Sequence, residues 1–401
     1  MRLLIAFDKF KNSLTAAEAC ELVASIFKAR HSDWPVDVCP LSDGGEGFGQ
    51  ILTQSASGAL EEVRTRGPRG GEFAAEIGVV FAGSIPSAAR AMLPMALRDE
   101  DRVGIVEMAS ASGLELLSMS QRDPWETDSR GTGQLLRCAA EAGVRAILLG
   151  VGGSATNDLG LGALAELGVE AVDSDGELVA PITPAQWERI SGFRGRLPEG
   201  FPAVFIACDV KNPLLGESGC TAVYGPQKGL APEDVSRMEA GAARVAGLLA
   251  AHFSRPESLA AEPGMGAAGG IGFGLRCAGA AQLIPGAEFV AAWLDLSRHL
   301  ADCDIVLTGE GRFDASSLQG KGPGDLVRRA ANLGKQAFVL AGSVEQNLPV
   351  PGGMEIAAIS PANLPLAEAL ARGREFLAQA ASKIVSRLEH LPEQHALIKE
   401  R

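Results

Sequence analysis

LLIAF at residues 3–7 runs into DKFKNS at 8–13, and TAAEACELVASIF follows at 15–27. Five consecutive apolar residues suit a strand buried on both faces, and the polar stretch after them suits a loop at the strand's end. Thr15 and Glu18 stand three apart, as in a capping box, ahead of the helical face Ala19, Leu22, Val23, Ile26 and Phe27. Strand, polar loop, helix is the repeating unit of an α/β protein. The same apolar pattern recurs at Val36 to Leu41, Val103 to Met108, Ala146 to Leu149, Ala203 to Ala207, Ile305 to Leu307, Ala337 to Leu340 and Ile356 to Ile359. Between these runs the spacing predicts helices over Gly133 to Ala142, Leu159 to Leu167, Pro232 to Ala251, Pro323 to Leu333 and Leu366 to Leu388. The fold class expected is therefore α/β. Gly67-Pro68-Arg69-Gly70-Gly71 and Ile284-Pro285-Gly286 are the breaks that bracket a middle segment. Both chain ends carry the same unfinished strand-helix rhythm, so residues 1–62 plus 290–401 are expected to form one domain around an inserted α/β domain at 63–289.

With 401 residues, 46% of them hydrophobic and 21% charged, the chain can bury a large core without disulfides or a structural metal. The 49 acidic and 36 basic residues leave a net charge of −13, which repels nucleic acid and anionic lipid. With 15 Phe, 4 Trp and 1 Tyr there is also little for bases to stack on. No nucleic-acid partner and no membrane partner are expected. The seven cysteines are scattered without a C-x-x-C pair, which suits a reducing cytosol, and the first apolar run is too short for a signal sequence. A cytoplasmic location is expected, with a homo-oligomer left open.

Glycine is high, 49 residues or about one in eight against a usual ~7%, and it clusters just after the apolar runs. Five polar loops follow strands in this way: Asp8 to Ser13, Ser42 to Gly47, Gly150 to Asp158 (GVGGSATND), Asp209 to Pro213, and Thr308 to Asp314. Open α/β sheets bind ligands at the carboxyl ends of their strands. Glycines admit an anion close to the backbone, lysines neutralise phosphate and carboxylates hold a divalent metal, so this mixture suits phosphate with magnesium. The five histidines, His31, His252, His299, His390 and His395, all lie outside these loops, and no G-x-S-x-G elbow is present, which disfavours a Ser/His/Asp hydrolase.

Three nucleotide motifs compete. Gly320-Lys321 is not a Walker A, because position 315 is Ala and position 322 is Gly. Gly264 to Gly269 matches G-x-G-x-x-G but follows Ala261-Glu262-Pro263 and not a strand. Gly150 to Ala155 does follow a strand and precede a helix, with Asp173 some twenty residues on, and keeps an NAD-dependent dehydrogenase open as an alternative. Against it, the Asp158 carboxylate at the helix start would oppose a pyrophosphate unless magnesium intervened. A non-catalytic ligand-binding sensor is the other alternative.

In order, and over nearly the whole chain, these loops resemble the glycerate kinase family of bacterial glycerate 2-kinases. The matching blocks are Asp8 to Ser13, Ser42 to Gly47, Gly152 to Asp158, Asp209 to Gly216 (DVKNPLLG), Tyr224 to Gly229 (YGPQKG), Gly266 to Gly272 (GAAGGIG) and Thr308 to Lys321 (TGEGRFDASSLQGK). The chain departs from the family's PDSFKGS at Phe7, Lys9 and Asn12, and has Arg130 where an aromatic is common, so the first loop's argument rests on Lys11 and Ser13. The resemblance implies ATP-dependent phosphorylation of D-glycerate, typically to 2-phosphoglycerate, with magnesium. It also implies two different α/β domains, the one built from both chain ends Rossmann-like, with the active site in the interdomain cleft.

On this reading Asp43, Asp314, Lys11 and Asp209 are the candidate catalytic residues, with Asp314 or Asp43 nearest the reacting hydroxyl. Asp209 is expected to serve the site and not a helix cap, because Asn212-Pro213 keeps a helix from starting there. Ser13, Gly44, Gly45, Gly152, Gly153, Ser154, Asn157, Lys211, Asn212, Gly309, Arg312 and Lys321 are the candidates for binding substrate or nucleotide. Glu46, Asp158 and Glu310 are the candidate magnesium ligands.

Overall fold

The computed structural model describes residues 1–315, 317–319, 322–348 and 352–390. Two principal sheets are built from eleven strands: β1 (Leu3–Phe7), β2 (Val36–Val38), β3 (Ala59–Arg66), β4 (Glu72–Phe81), β5 (Arg102–Glu107), β6 (Ala146–Gly150), β7 (Ala203–Ala207), β8 (Ala281–Ile284), β9 (Ile305–Gly309), β10 (Gln336–Ala341) and β11 (Met354–Ala358). The chain divides into two compact units, Met1–Ser42 with Leu294–Arg401, and Asp43–Trp293. Among the described residues no helix is long and apolar enough to cross a membrane.

The first unit holds a five-stranded sheet in the order β11-β10-β9-β1-β2, every pair parallel. Leu3, Ile5 and Phe7 alternate onto one face and pack there with Ala19, Val23 and Phe27 of the helix Ala16–Arg30 and with Leu377, Ala381 and Ile384 of the helix Gly373–Glu389. The capping box at Thr15 is formed: its side chain accepts the Glu18 amide, and the Glu18 carboxylate accepts the Thr15 amide. The single helix expected over Leu366 to Leu388 is instead two, Leu366–Ala371 and Gly373–Glu389. A Cβ at residue 373 would lie 2.2 Å from the Ser13 hydroxyl, so a side chain at this junction would push that hydroxyl off its bond to the Leu370 carbonyl.

The second unit holds a six-stranded sheet in the order β8-β7-β6-β5-β4-β3, parallel from β8 to β5 and antiparallel at β4 and β3. Residues 43–62, read from the sequence as part of the terminal domain, lie in this unit, and its other limit falls at 293 where 289 was expected. Gly67 to Gly71 is the turn of the β3-β4 hairpin, closed by the Gly67 amide on the Gly71 carbonyl at 2.7 Å. It separates two paired strands and not two domains.

Two buried carboxylates organise the helix starts beside β6. Asp158, expected as a magnesium ligand, is fully buried, and that expectation is corrected: Oδ2 accepts the Ser129 amide (2.8 Å), the Ser129 hydroxyl (2.7 Å) and the Gly162 amide (3.0 Å), and Oδ1 accepts the Gly160 amide (3.2 Å). Its lone pairs are spent on otherwise orphaned helix-start amides. Asp128 lies beside it at the start of the helix Arg130–Glu141, accepts the Arg130 amide at 3.0 Å and sits 3.7 Å from the Arg130 guanidinium. Burial pushes the Asp128 carboxyl up to about 6, the Arg130 amide opposing this and the Asp158 charge adding to it. A folded-state pKa above the unfolded value near 3.9 gives stability that is complete at low pH and lost as pH rises through about 6. Asp128→Asn keeps an oxygen for the Arg130 amide and removes the titrating charge, so it is expected to raise stability at pH 8 by ~1–3 kcal/mol and to leave it nearly unchanged at pH 4. Thermal midpoints of both proteins at the two pH values check this, and an equal shift at both would contradict it.

Candidate active site

In the first unit the strand order reverses between β1 and β9: the chain leaves β1 toward β2 on one side and leaves β9 toward β10 on the other. Such a reversal opens a crevice at the carboxyl ends of the two strands. Two expected loops meet there, with the Asp8 amide on the Gly309 carbonyl at 2.9 Å and the Gly311 amide on the Lys9 carbonyl at 3.3 Å. Gly309 is required at this end, because a Cβ would lie 1.8 Å from the Leu340 carbonyl oxygen. Lys11 is exposed. Arg312, 71% exposed, places Nε 3.2 Å from Oδ2 of Asp314, which is 24% exposed. Glu310, half-buried, stands between β9 and this pair. Lys11, Glu310, Arg312 and Asp314 thus gather at one strand-end crevice. Ser13 differs from expectation: its hydroxyl donates to the Leu370 carbonyl at 2.8 Å, so it ties the loop to the C-terminal helices. Lys321 lies outside the described residues.

In the second unit the loop at 43–47 lies against the loop that leaves β6. The Gly152 amide donates to the Gly44 carbonyl at 2.9 Å, and a Cβ on Gly152 would stand 2.6 Å from the Gly45 Cα. A Cβ on Gly153, whose φ is +72°, would stand 2.3 Å from Glu46 Oε1. On its other side the β6 loop is held by the Leu114 amide on the Gly153 carbonyl and the Ala155 amide on the Ser112 carbonyl, both 2.8 Å. This speaks against the dinucleotide alternative, because the Gly152 and Ala155 amides that would cradle a pyrophosphate are already bonded, and the glycines make room for a neighbouring loop. Asp43 is exposed and its Oδ1 accepts the Gly45 amide at 3.2 Å; Glu46 is half-buried. Ser154 lies just below the surface. Asn157, expected to bind ligand, is instead fully buried, its amide nitrogen reaching Thr221 Oγ1 at 3.1 Å and the Met238 sulfur at 3.2 Å.

Asp209 follows β7, and its Oδ2 accepts the Ala287 amide at 2.9 Å in the first turn of the helix Gly286–Trp293. The expectation that Asp209 takes no part in a helix cap is thereby corrected: Asn212-Pro213 blocks a local helix, but the capped helix is 78 residues away in sequence. Lys211 is exposed, whereas Asn212 donates to the Ser218 carbonyl (2.7 Å) and accepts from the Tyr224 hydroxyl (2.7 Å), a brace between loops.

Two residues escaped the sequence reading. Glu107 ends β5, and its Oε2 accepts the Gly47 and Gly49 amides, both at 3.0 Å, holding the 43–47 loop; the available signal was a carboxylate inside the apolar run 103–108. Lys228, in the YGPQKG block, is fully buried, and desolvation pushes its ammonium down to about 8, with Cys220 and Asp158 opposing. Burial raises the Cys39 and Cys277 thiols to about 12 and the Cys220 and Cys303 thiols to about 11, so these four stay protonated at neutral pH and are poor nucleophiles.

The glycerate kinase family model matches residues 3–389. A glycerate kinase of Haemophilus influenzae is 34% identical over 398 residues, 98% of each chain. A glycerate 2-kinase of Escherichia coli K12 is 34% identical over 356 residues, 87% of each chain. The crystal structure of a protein described as a glycerate kinase 2, from Salmonella typhimurium LT2, superposes with a TM-score of 0.74 at 34% identity, covering 97% of this chain and 98% of that one. A match of this length, together with strand-end loops in the family's order, makes the chain a member of the glycerate kinase family.

Proposed function

We propose that the protein transfers the γ-phosphoryl group of ATP to the C2 hydroxyl of D-glycerate, giving 2-phosphoglycerate and ADP, in the cytoplasm. The observation that carries the reading is the crevice between β1 and β9, where exposed cations and a carboxylate stand together in a chain of this family. Phosphoryl transfer asks for alignment of the hydroxyl, neutralisation of the transferring oxygens and exclusion of water. In this account Lys11 and Arg312 meet phosphate oxygens, and Asp314 or Asp43 accepts the hydroxyl proton. Seven free cysteines suit a reducing compartment.

Magnesium takes hard oxygen donors, one or two carboxylates plus phosphate oxygens and water. Glu310 in the first unit and Glu46 in the second are each a hard carboxylate donor of the kind that would hold it. When bound, the ion would neutralise charge on the nucleotide phosphates. Among the described residues no three His, Cys, Asp or Glu side chains are gathered for a metal, so the reading relies on the nucleotide to complete the shell.

Purified protein is expected to convert D-glycerate and Mg-ATP to 2-phosphoglycerate, identified by phosphorus NMR; no turnover at millimolar glycerate, or 3-phosphoglycerate as product, would overturn the reading. Asp43→Asn and Asp314→Asn are each expected to lower kcat by ~10²-fold or more. Asp209→Asn leaves an oxygen for the Ala287 amide while removing the charge, so a comparable kcat loss there would report a part in the chemistry, and full kcat would make Asp209 structural.

A further inference from the structure

A lysine is almost never fully buried without a paired carboxylate, because removing its charge from water costs several kcal/mol. Lys228 is 2% exposed, and its ammonium donates to Ser154 Oγ at 3.1 Å and to the Thr156 carbonyl at 2.7 Å. Both bonds fall on the glycine-rich loop after β6. The turn Pro226–Lys228 is forced inward by its flanks: Gly229 has φ +98°, and a Cβ there would lie 2.1 Å from the Arg122 carbonyl oxygen. A methionine of similar volume would fill the same space without the desolvation cost, so stability alone does not explain the ammonium.

The direction of the bond to Ser154 has a chemical consequence. An ammonium can only donate, so Ser154 Oγ must accept, and the serine's own proton is left to point elsewhere. No acceptor for that proton is found among the described residues. Its neighbour Gly153 is exposed and Ser154 itself keeps 8% exposure, so the hydroxyl lies one residue from the loop's solvent-facing backbone.

We propose that Lys228 is a positioning residue that locks Ser154 as a hydrogen-bond donor toward an anionic substrate oxygen, either the glycerate carboxylate or an ATP phosphate. The assignment rests on the kinase reading above. Lys228 holds the acceptor side of Ser154 and anchors the loop through Thr156, while Ser154 touches the ligand. The two side chains therefore act as one device.

The test is a double-mutant cycle in the full-length enzyme with Lys228→Met, Ser154→Ala and the double variant, measuring kcat and KM for D-glycerate and for ATP separately. Each single substitution is expected to lower kcat/KM about tenfold or more, and the double to be no worse than the poorer single. A KM rise confined to glycerate identifies the carboxylate as the anion, and one confined to ATP identifies a phosphate. Lys228→Gln, which keeps a donor without the charge, is expected to recover part of the loss. Wild-type kinetics in Ser154→Ala, effects that multiply in the double variant, or no recovery with Gln would overturn the assignment. A wild type without kinase turnover would instead remove the functional reading, and this assignment with it.

Discussion

Gly152 has no side chain because the Gly44-Gly45 backbone occupies the space where one would begin. That close approach lets the Gly152 amide reach the Gly44 carbonyl and brings Asp43 and Glu46 beside the end of β6. A residue with a Cβ would drive the two loops apart and disperse the carboxylates. The equivalent constraint in the first unit is Gly309, whose bare Cα lets β9 end against the Leu340 carbonyl and turn into Glu310 and Arg312. In each unit backbone contact comes first, and the placement of charged side chains follows from it.

Charge inside these loops is sorted by solvent access. Lys11, Lys211, Arg312 and Asp43 face water, where a ligand can compete for them. Asp158 and Lys228 are buried and work on the protein itself, the first by collecting helix-start amides and the second by holding the β6 loop. The distinction matters for the chemistry, because a ligand can reach the exposed groups without unpacking the protein. It also separates residues whose loss should alter turnover directly from those whose loss acts through a neighbour.

Much of the fold was legible because its signals are local. Near-continuous apolar runs marked the buried parallel strands, and Thr15 with Glu18 marked the first helix as a cap that the structure contains. The β3-β4 hairpin does not show as an apolar run because Glu61, Glu62 and Arg64 interrupt β3, which is largely exposed. Its Gly-Pro turn then resembled a linker. At the site, Asp158 could not be told from a ligand-facing carboxylate, since a helix start after a glycine-rich loop reads the same whether its lone pairs meet amides or a metal. Lys228 was hidden for the opposite reason: a lysine among Pro, Gln and Gly reads as solvated, and only the tertiary packing of the 224–229 turn buries it.

The central claim is that ligand binding is concentrated at the loops after β1, β2, β6 and β9. Hydrogen exchange of the intact protein, free and with saturating D-glycerate plus a nonhydrolysable ATP analogue, tests it most directly. The account predicts slowed exchange in residues 8–14, 43–47, 150–158 and 308–315, greater with both ligands than with either alone. Unchanged exchange in these loops, or protection confined to the opposite ends of the strands, would contradict it.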